Sequence, residues 1–256
     1  MGRGIITLVV TMNQKDHSLL EKMHIQTDAV VANQCGENSI EDFEWQGHHV
    51  IYVNSDSKGV GLNRNNAIEH ADADICVLAD DDLVYVDGYA DIVRRAFDRH
   101  KDADVIAFNL YEQAGSRFVA KKDIKIGKFN FGRYGAARLA VRLSSIIDKG
   151  IMFNEHFGGG TEYSCGEDTI FLHDCLKNGL NIYAVPEFIA ELKNERSSTW
   201  FHGYDDKFFR DKGVLYKELF PTWWRLIVVV QIIRHRNLYR EYGIWKGIKK
   251  ALLQEH

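Results

Sequence analysis

An α/β fold with a mainly parallel sheet is the class this chain predicts, on three observations. Short apolar runs alternate with helix-compatible stretches through its first half. Three consecutive aspartates, Asp80-Asp81-Asp82, stand where one of those runs, Asp74-Ile75-Cys76-Val77-Leu78-Ala79, ends. The 256 residues, 45% hydrophobic and 27% charged, suffice for one large domain or a domain with a C-terminal appendage.

Taken in order, strand-like runs fall at 5–11, 29–32, 50–53 and 75–79. Between the third and fourth, Gly59-Val60-Gly61-Leu62-Asn63-Arg64-Asn65-Asn66-Ala67-Ile68 turns from glycines into a short helix ending near Ala71. Its Gly-x-Gly lacks the third glycine of a dinucleotide fingerprint and does not follow the first strand, which rejects an NAD site. Residues 87–100 read as an amphipathic helix with Ile92, Val93, Ala96 and Phe97 on one side. Strand-like pieces at 105–110, 117–120 and 136–142, joined by Gly- and Lys-rich turns, suit an antiparallel extension of the sheet. Then Phe153-Asn154-Glu155-His156-Phe157-Gly158-Gly159-Gly160 forms a loop, Cys165-Gly166-Glu167-Asp168 opens a helix through Leu176, and a short strand follows at 181–185.

Carboxylates at a strand's C-terminal edge point into the crevice where open α/β sheets bind ligands, and several together repel unless a cation joins them. The triplet therefore reads as a metal site. A hard cation such as Mg²⁺ or Mn²⁺ takes oxygen ligands and keeps waters and substrate phosphates, so the remaining ligands would come from a diphosphate. Glu167 and Asp168 fall in a helix's first turn, where the dipole favours negative charge, and on their own would be read as capping residues.

A net charge of −4 and a pI near 6.3 argue against a nucleic-acid partner. The four cysteines have no CxxC spacing, so a reducing, cytoplasmic location is expected and zinc is not. The N-terminus enters a strand pattern directly, without a secretory h-region. The longest apolar run, 226–233, is broken by Gln231 and falls far short of the ~20 residues that span a bilayer.

Four features in this order resemble the inverting glycosyltransferases of family 2, with the GT-A fold: a first strand ending in Thr11-Met12-Asn13, the Gly61-Leu62-Asn63-Arg64-Asn65 segment, the Asp80-Asp81-Asp82 cluster, and Phe153-Asn154-Glu155 followed by Gly166-Glu167-Asp168. The resemblance runs from Ile5 to about Val185, and to Lys207 at its widest. It implies a metal-dependent, hexosyltransferase-type enzyme that takes a nucleotide diphosphate sugar, UDP favoured, to a saccharide or lipid-linked saccharide acceptor. Asp80 and Asp82 match the family's Asp-x-Asp element. Asp82 would ligate the metal and Asp80 the ribose or a metal-bound water, with Asp81 replacing either if the register shifts by one.

Thr11 and Arg64 would lie by the nucleotide. Where the family usually has an Asp for the base, this chain has Ala32-Asn33-Gln34-Cys35, so Asn33 and Gln34 are the base-binding candidates. Asp168 matches the family's general base, with Glu167 its neighbour at the acceptor. Trp200, His202 and Lys207 are candidates for a loop closing over the donor phosphate, although a lone histidine among aromatics is ordinarily packed or surface-exposed.

The division expected is a nucleotide-sugar-binding half at 1–103, an acceptor-binding half at 104–203 and a helical appendage at 204–256. In the appendage, tryptophans, an apolar run and cations between 221 and 253 fit two readings equally: a helix lying on the inner face of the cell membrane, or one packed on the domain or on a second subunit in a homodimer. Two rival functions share parts of the pattern. A sugar nucleotidylyltransferase would open with a Gly-rich, Arg-containing loop, which Thr11-Met12-Asn13-Gln14-Lys15 is not; a non-catalytic glycosyltransferase-like partner subunit would not need both acidic sites.

Overall fold

Seven of the eight residues of the first strand, β1 (Ile5–Met12), are buried, the environment of a strand in a sheet covered on both faces. The computed structural model describes residues 4–112, 118–193 and 203–253. After β1 come α1 (Ser18–Lys22), β2 (Asp28–Gln34), β3 (Ser39–Trp45), β4 (His48–Ser55), α2 (Val60–Glu69), β5 (Ile75–Asp80), β6 (Leu83–Tyr85) and α3 (Tyr89–Arg99). The second half adds β7 (Val105–Tyr111), β8 (Ile124–Ile126), β9 (Leu139–Arg142), α4 (Leu143–Ile147), α5 (Glu167–Lys177), β10 (Ile182–Leu192), α6 (Asp206–Leu219), α7 (Trp224–Arg234) and α8 (Ile244–Leu252).

Among the described residues the strands form one sheet in the order β3-β4-β2-β1-β5-β9-β7-β10-β6, with β8 beside β10. β4, β2, β1 and β5 run parallel, so β1, β2 and β5 end at one edge. Alternation along each strand feeds two layers. Ile5, Val9, Val77 and Ala79 pack with Leu20, Tyr89, Val93 and Phe97 of α1 and α3; Ile6, Leu8, Cys76 and Leu78 pack with Ile68, Phe171 and Leu172 of α2 and α5. α6, α7 and α8 enclose a separate small core around Phe209, Trp224, Val228 and Ile248. No helix among the described residues is long and apolar enough to cross a membrane.

The structure departs from expectation in the second half. β9 is antiparallel to both β5 and β7, but β7 and β10 are parallel, so the extension is mixed. Of the run at 117–120, Phe118–Ala120 is not a strand, and Arg117 lies outside the described residues. The Asn109 side chain accepts from Ala120 N and donates to Ala120 O, taking the place of a strand partner. Residues 136–138 form a 3-10 turn before β9. β10 runs on past Val185 to Leu192, with register shifts around Pro186, where a proline is tolerated in a sheet. β3 was not anticipated. It is an edge strand bearing Glu41, Asp42 and Glu44, with no apolar run to mark it. A two-residue turn joins it to β4, with positive φ at Gln46 (50°) and Gly47 (83°).

Candidate active site

Three successive residues of α2, Asn63, Arg64 and Asn65, are buried although all are polar. Each is held by partners that α2 brings together. Asn63 Nδ2 donates to Thr11 O (3.1 Å) and Ala32 O (2.8 Å), tying the ends of β1 and β2 to the helix. Asn65 Nδ2 donates to Phe153 O at 3.0 Å and Glu155 Oε1 at 3.2 Å, and its Oδ1 accepts from Phe153 N at 2.8 Å. The loop after Phe153 therefore runs against α2. At Gly61 that approach excludes any side chain, because a Cβ would lie 2.5 Å from Asn154 O.

Arg64 is the centre of the site. Its Nη2 donates to Asp80 Oδ1 (2.9 Å) and its Nη1 to Asp168 Oδ1 (2.8 Å) and Glu167 Oε1 (3.2 Å). The guanidinium carbon sits 5.1 Å from the centroid of Phe153, whose ring stacks on Phe171. Burial works against the charge, but Asp168, Asp80 and Glu167 together outweigh it and raise the Arg64 pKa above its ordinary value. The cation thus joins the end of β5 to the start of α5.

Glu167 is pushed up to about 7, first by burial and then by Asp168, against the pull of Arg64. Its Oε2 also accepts from Gly166 N at 3.1 Å. A folded-state pKa above the ordinary 4.5 means that the native chain holds a proton longer than the unfolded one, so ionising Glu167 costs stability as pH rises through that window. Relative to the parent, Glu167→Gln is expected to gain on the order of 1–3 kcal/mol between about pH 5 and pH 8, read by urea unfolding at both values. A relative loss over the same range would show that pairing with Arg64 outweighs burial.

Asp168 is more open, with 27% of its side chain exposed. Oδ1 lies on Arg64, while Oδ2 faces Gly135, where a Cβ would come within 3.1 Å. Thr11 Oγ1 donates to Asp81 Oδ2 at 2.6 Å, fixing the middle aspartate against β1. Asp82 is exposed, and its carbonyl accepts from Lys193 N at 2.8 Å.

The remaining expected residues are held by partners of their own. Asn33 is 1% exposed; its Oδ1 accepts from Gln14 N, and its Nδ2 donates to Gln14 O and Asn54 Oδ1, so turning to a nucleobase would break these bonds. Gln34 is partly exposed and donates to Gly59 O. Lys207, on α6, donates to Glu162 O and pairs with Asp211, which itself accepts from Ser164 N and Oγ. It braces the loop before α5. Trp200 and His202 lie outside the described residues. The roles of Asn63 and Asn65 escaped sequence reading; the available signal was a helix whose polar run defeats apolar periodicity.

Among the described residues no three His, Cys, Asp or Glu side chains gather closely enough to hold a metal ion. Asp80 and Asp82 do supply the hard oxygen donors suited to a cation that completes its shell with diphosphate and water. A separate hollow of about 170 Å³ opens at the end of β7, between Tyr111, Phe118, Val119, Arg138 and Phe188.

An open α/β sheet that gathers polar groups in the crevice at its strand ends is built to bind a ligand there. The model of glycosyl transferase family 2 matches residues 18–156, more than half of the chain, and the chain belongs to that family. Among solved structures it is similar to S. aureus TarS 1-349 in complex with UDP-GlcNAc, with a TM-score of 0.63 and 16% identity over 84% of this chain and 66% of that one. The UDP complex of the same protein gives 0.63 and 16% over 94% and 74%, and S. aureus TarS gives 0.60 and 15% over 84% and 39%. At such identities the likeness is one of fold. The chain spans 66% of the first structure's length and 39% of S. aureus TarS. No curated protein matches the sequence.

Proposed function

We propose that the chain is a metal-dependent, inverting glycosyltransferase that moves a sugar, hexose-type, from a UDP-sugar to a saccharide or lipid-linked saccharide. The observation that carries the proposal is Arg64, which binds Asp80 on one side and Glu167 and Asp168 on the other. Inversion at an anomeric carbon needs a base on one face and charge stabilisation of the departing diphosphate on the other. Asp80 and Asp82 are assigned to the leaving-group side, with Asp81 held by Thr11. Asp168 is the general base, its Oδ2 turned from Arg64 towards Gly135. Glu167 accepts from the same Arg64 Nη1 as Asp168 and is its neighbour at the start of α5.

A cation held by Asp82 and Asp80 would supply Lewis-acid stabilisation of the diphosphate. The preference for UDP draws support from the uridine nucleotides named for the TarS complexes. With Asn33 engaged internally, Gln34 is the better candidate for a base contact. The acceptor is assigned to the 104–203 half. There Tyr111, 51% exposed, stacks on Phe188 at 4.4 Å and offers the flat apolar face on which a sugar ring can lie.

Thermal shift with nucleotide sugars in the presence and absence of Mn²⁺ tests the donor, because a ligand that binds only the native state stabilises it by mass action. UDP-sugars are expected to raise the melting temperature only with the cation present. Asp82→Ala should abolish the cation-dependent part of that shift. An equal shift in parent and variant would remove Asp82 from the metal role, and a shift with GDP- or dTDP-sugars alone would overturn the UDP assignment.

A further inference from the structure

The packing of α6, α7 and α8 separates the two readings of the tail. One side of α7 is satisfied internally, since Trp224, Val228 and Ile232 are buried with Phe209 and Tyr239. The other side is not. Trp223, Leu226, Val230 and Ile233, spaced by three, four and three residues, form a second stripe that is 65%, 59%, 53% and 43% exposed. Trp245 on α8 is 80% exposed and Leu253 just beyond it 52%. Packing within the chain therefore accounts for half of the apolar pattern.

Charge identifies what meets the other half. Residues 221–253 hold seven Lys and Arg against one acid, Glu241, so this segment carries +6 in a chain whose net charge is −4. Lys246 and Lys250 are paired with Asp206. Arg225, Arg234, Arg236, Arg240 and Lys249 are exposed and form no ion pair among the described residues. A second copy of the same face would set these cations against one another, whereas an anionic surface would attract them. Exposed tryptophans beside an apolar stripe and unpaired cations match the chemistry of a headgroup layer.

We propose that α7 and α8 bind an anionic lipid surface, with Trp223, Leu226, Val230, Ile233 and Trp245 entering the interface and the free arginines meeting lipid phosphates. The enzyme is thereby held where a lipid-linked acceptor is presented. Lipid binding requires no sugar nucleotide, so its outcome is independent of the donor and acceptor assignments.

The test is flotation of the full chain with vesicles of phosphatidylcholine alone and of phosphatidylcholine with phosphatidylglycerol in about equal parts. Binding is expected only to the anionic vesicles, and should be lost in about 1 M salt, where the Debye length falls to ~3 Å. The paired substitution Trp223→Ser and Trp245→Ser should reduce partitioning by about tenfold or more without changing the thermal midpoint of these exposed positions' host. Arg234→Glu with Arg236→Glu should remove the preference for phosphatidylglycerol. Absence of flotation, or flotation unaffected by both pairs, would overturn the proposal. So would a dimer in sedimentation that Trp223→Ser dissociates while vesicles stay unbound, since that assigns the face to a second copy.

Discussion

Asp168→Asn is expected to retain donor affinity and to lose about 10²–10⁴-fold in transfer rate, the range ordinarily supplied by a general base. Asparagine keeps an oxygen for Arg64 Nη1, now 2.8 Å from Oδ1, so the link from α2 to α5 survives. It cannot accept the proton of an acceptor hydroxyl. The defect should therefore fall on kcat, with donor binding by calorimetry unchanged. Near-parent turnover would transfer the base to Glu167, which burial already pushes up to about 7.

Arg64→Met should be the most destabilising single change at the site. It leaves Asp80, Glu167 and Asp168 around an apolar chain with no cation between them, and breaking a buried pair by removing one partner costs about 3–5 kcal/mol. Asp80 and Asp168 are 38% and 27% exposed, so water screens part of the repulsion and the lower end is expected. The loss should shrink in acid, as the carboxylates take up protons. Arg64→Lys should fall between, because an ammonium restores charge but not the fork that reaches both sides. Urea midpoints at neutral and acidic pH measure the effect; a parent-like midpoint for Arg64→Met at neutral pH would show that the three carboxylates are solvated independently.

Local pattern revealed the elements that pack on both faces. β1, β2, β4 and β5 were legible because their apolar runs are continuous, and α3 because its buried residues keep helical spacing. β3 was not, since an edge strand with one wet face is chosen by its turn and its neighbour rather than by its own hydrophobicity. The acidic residues of the site could be named from their positions at a strand end and a helix start. Their connection could not: nothing around Arg64 in the sequence marks the carboxylates of α5, more than a hundred residues on, as its partners. Nothing in a local window predicts that Asn33 closes on Gln14 and Asn54.

The bonds of Arg64 span 16, 103 and 104 residues. On the ribosome, a nascent chain that has emerged only through β5 can pair Arg64 with Asp80, but the bridge to Glu167 and Asp168 waits for α5. Contacts of such separation carry a large loop-closure cost and form late. The contact between α2 and β5 can thus form early in synthesis, while the acidic pair of α5 arrives much later, and the three-way bridge at Arg64 closes only once that distant helix has docked.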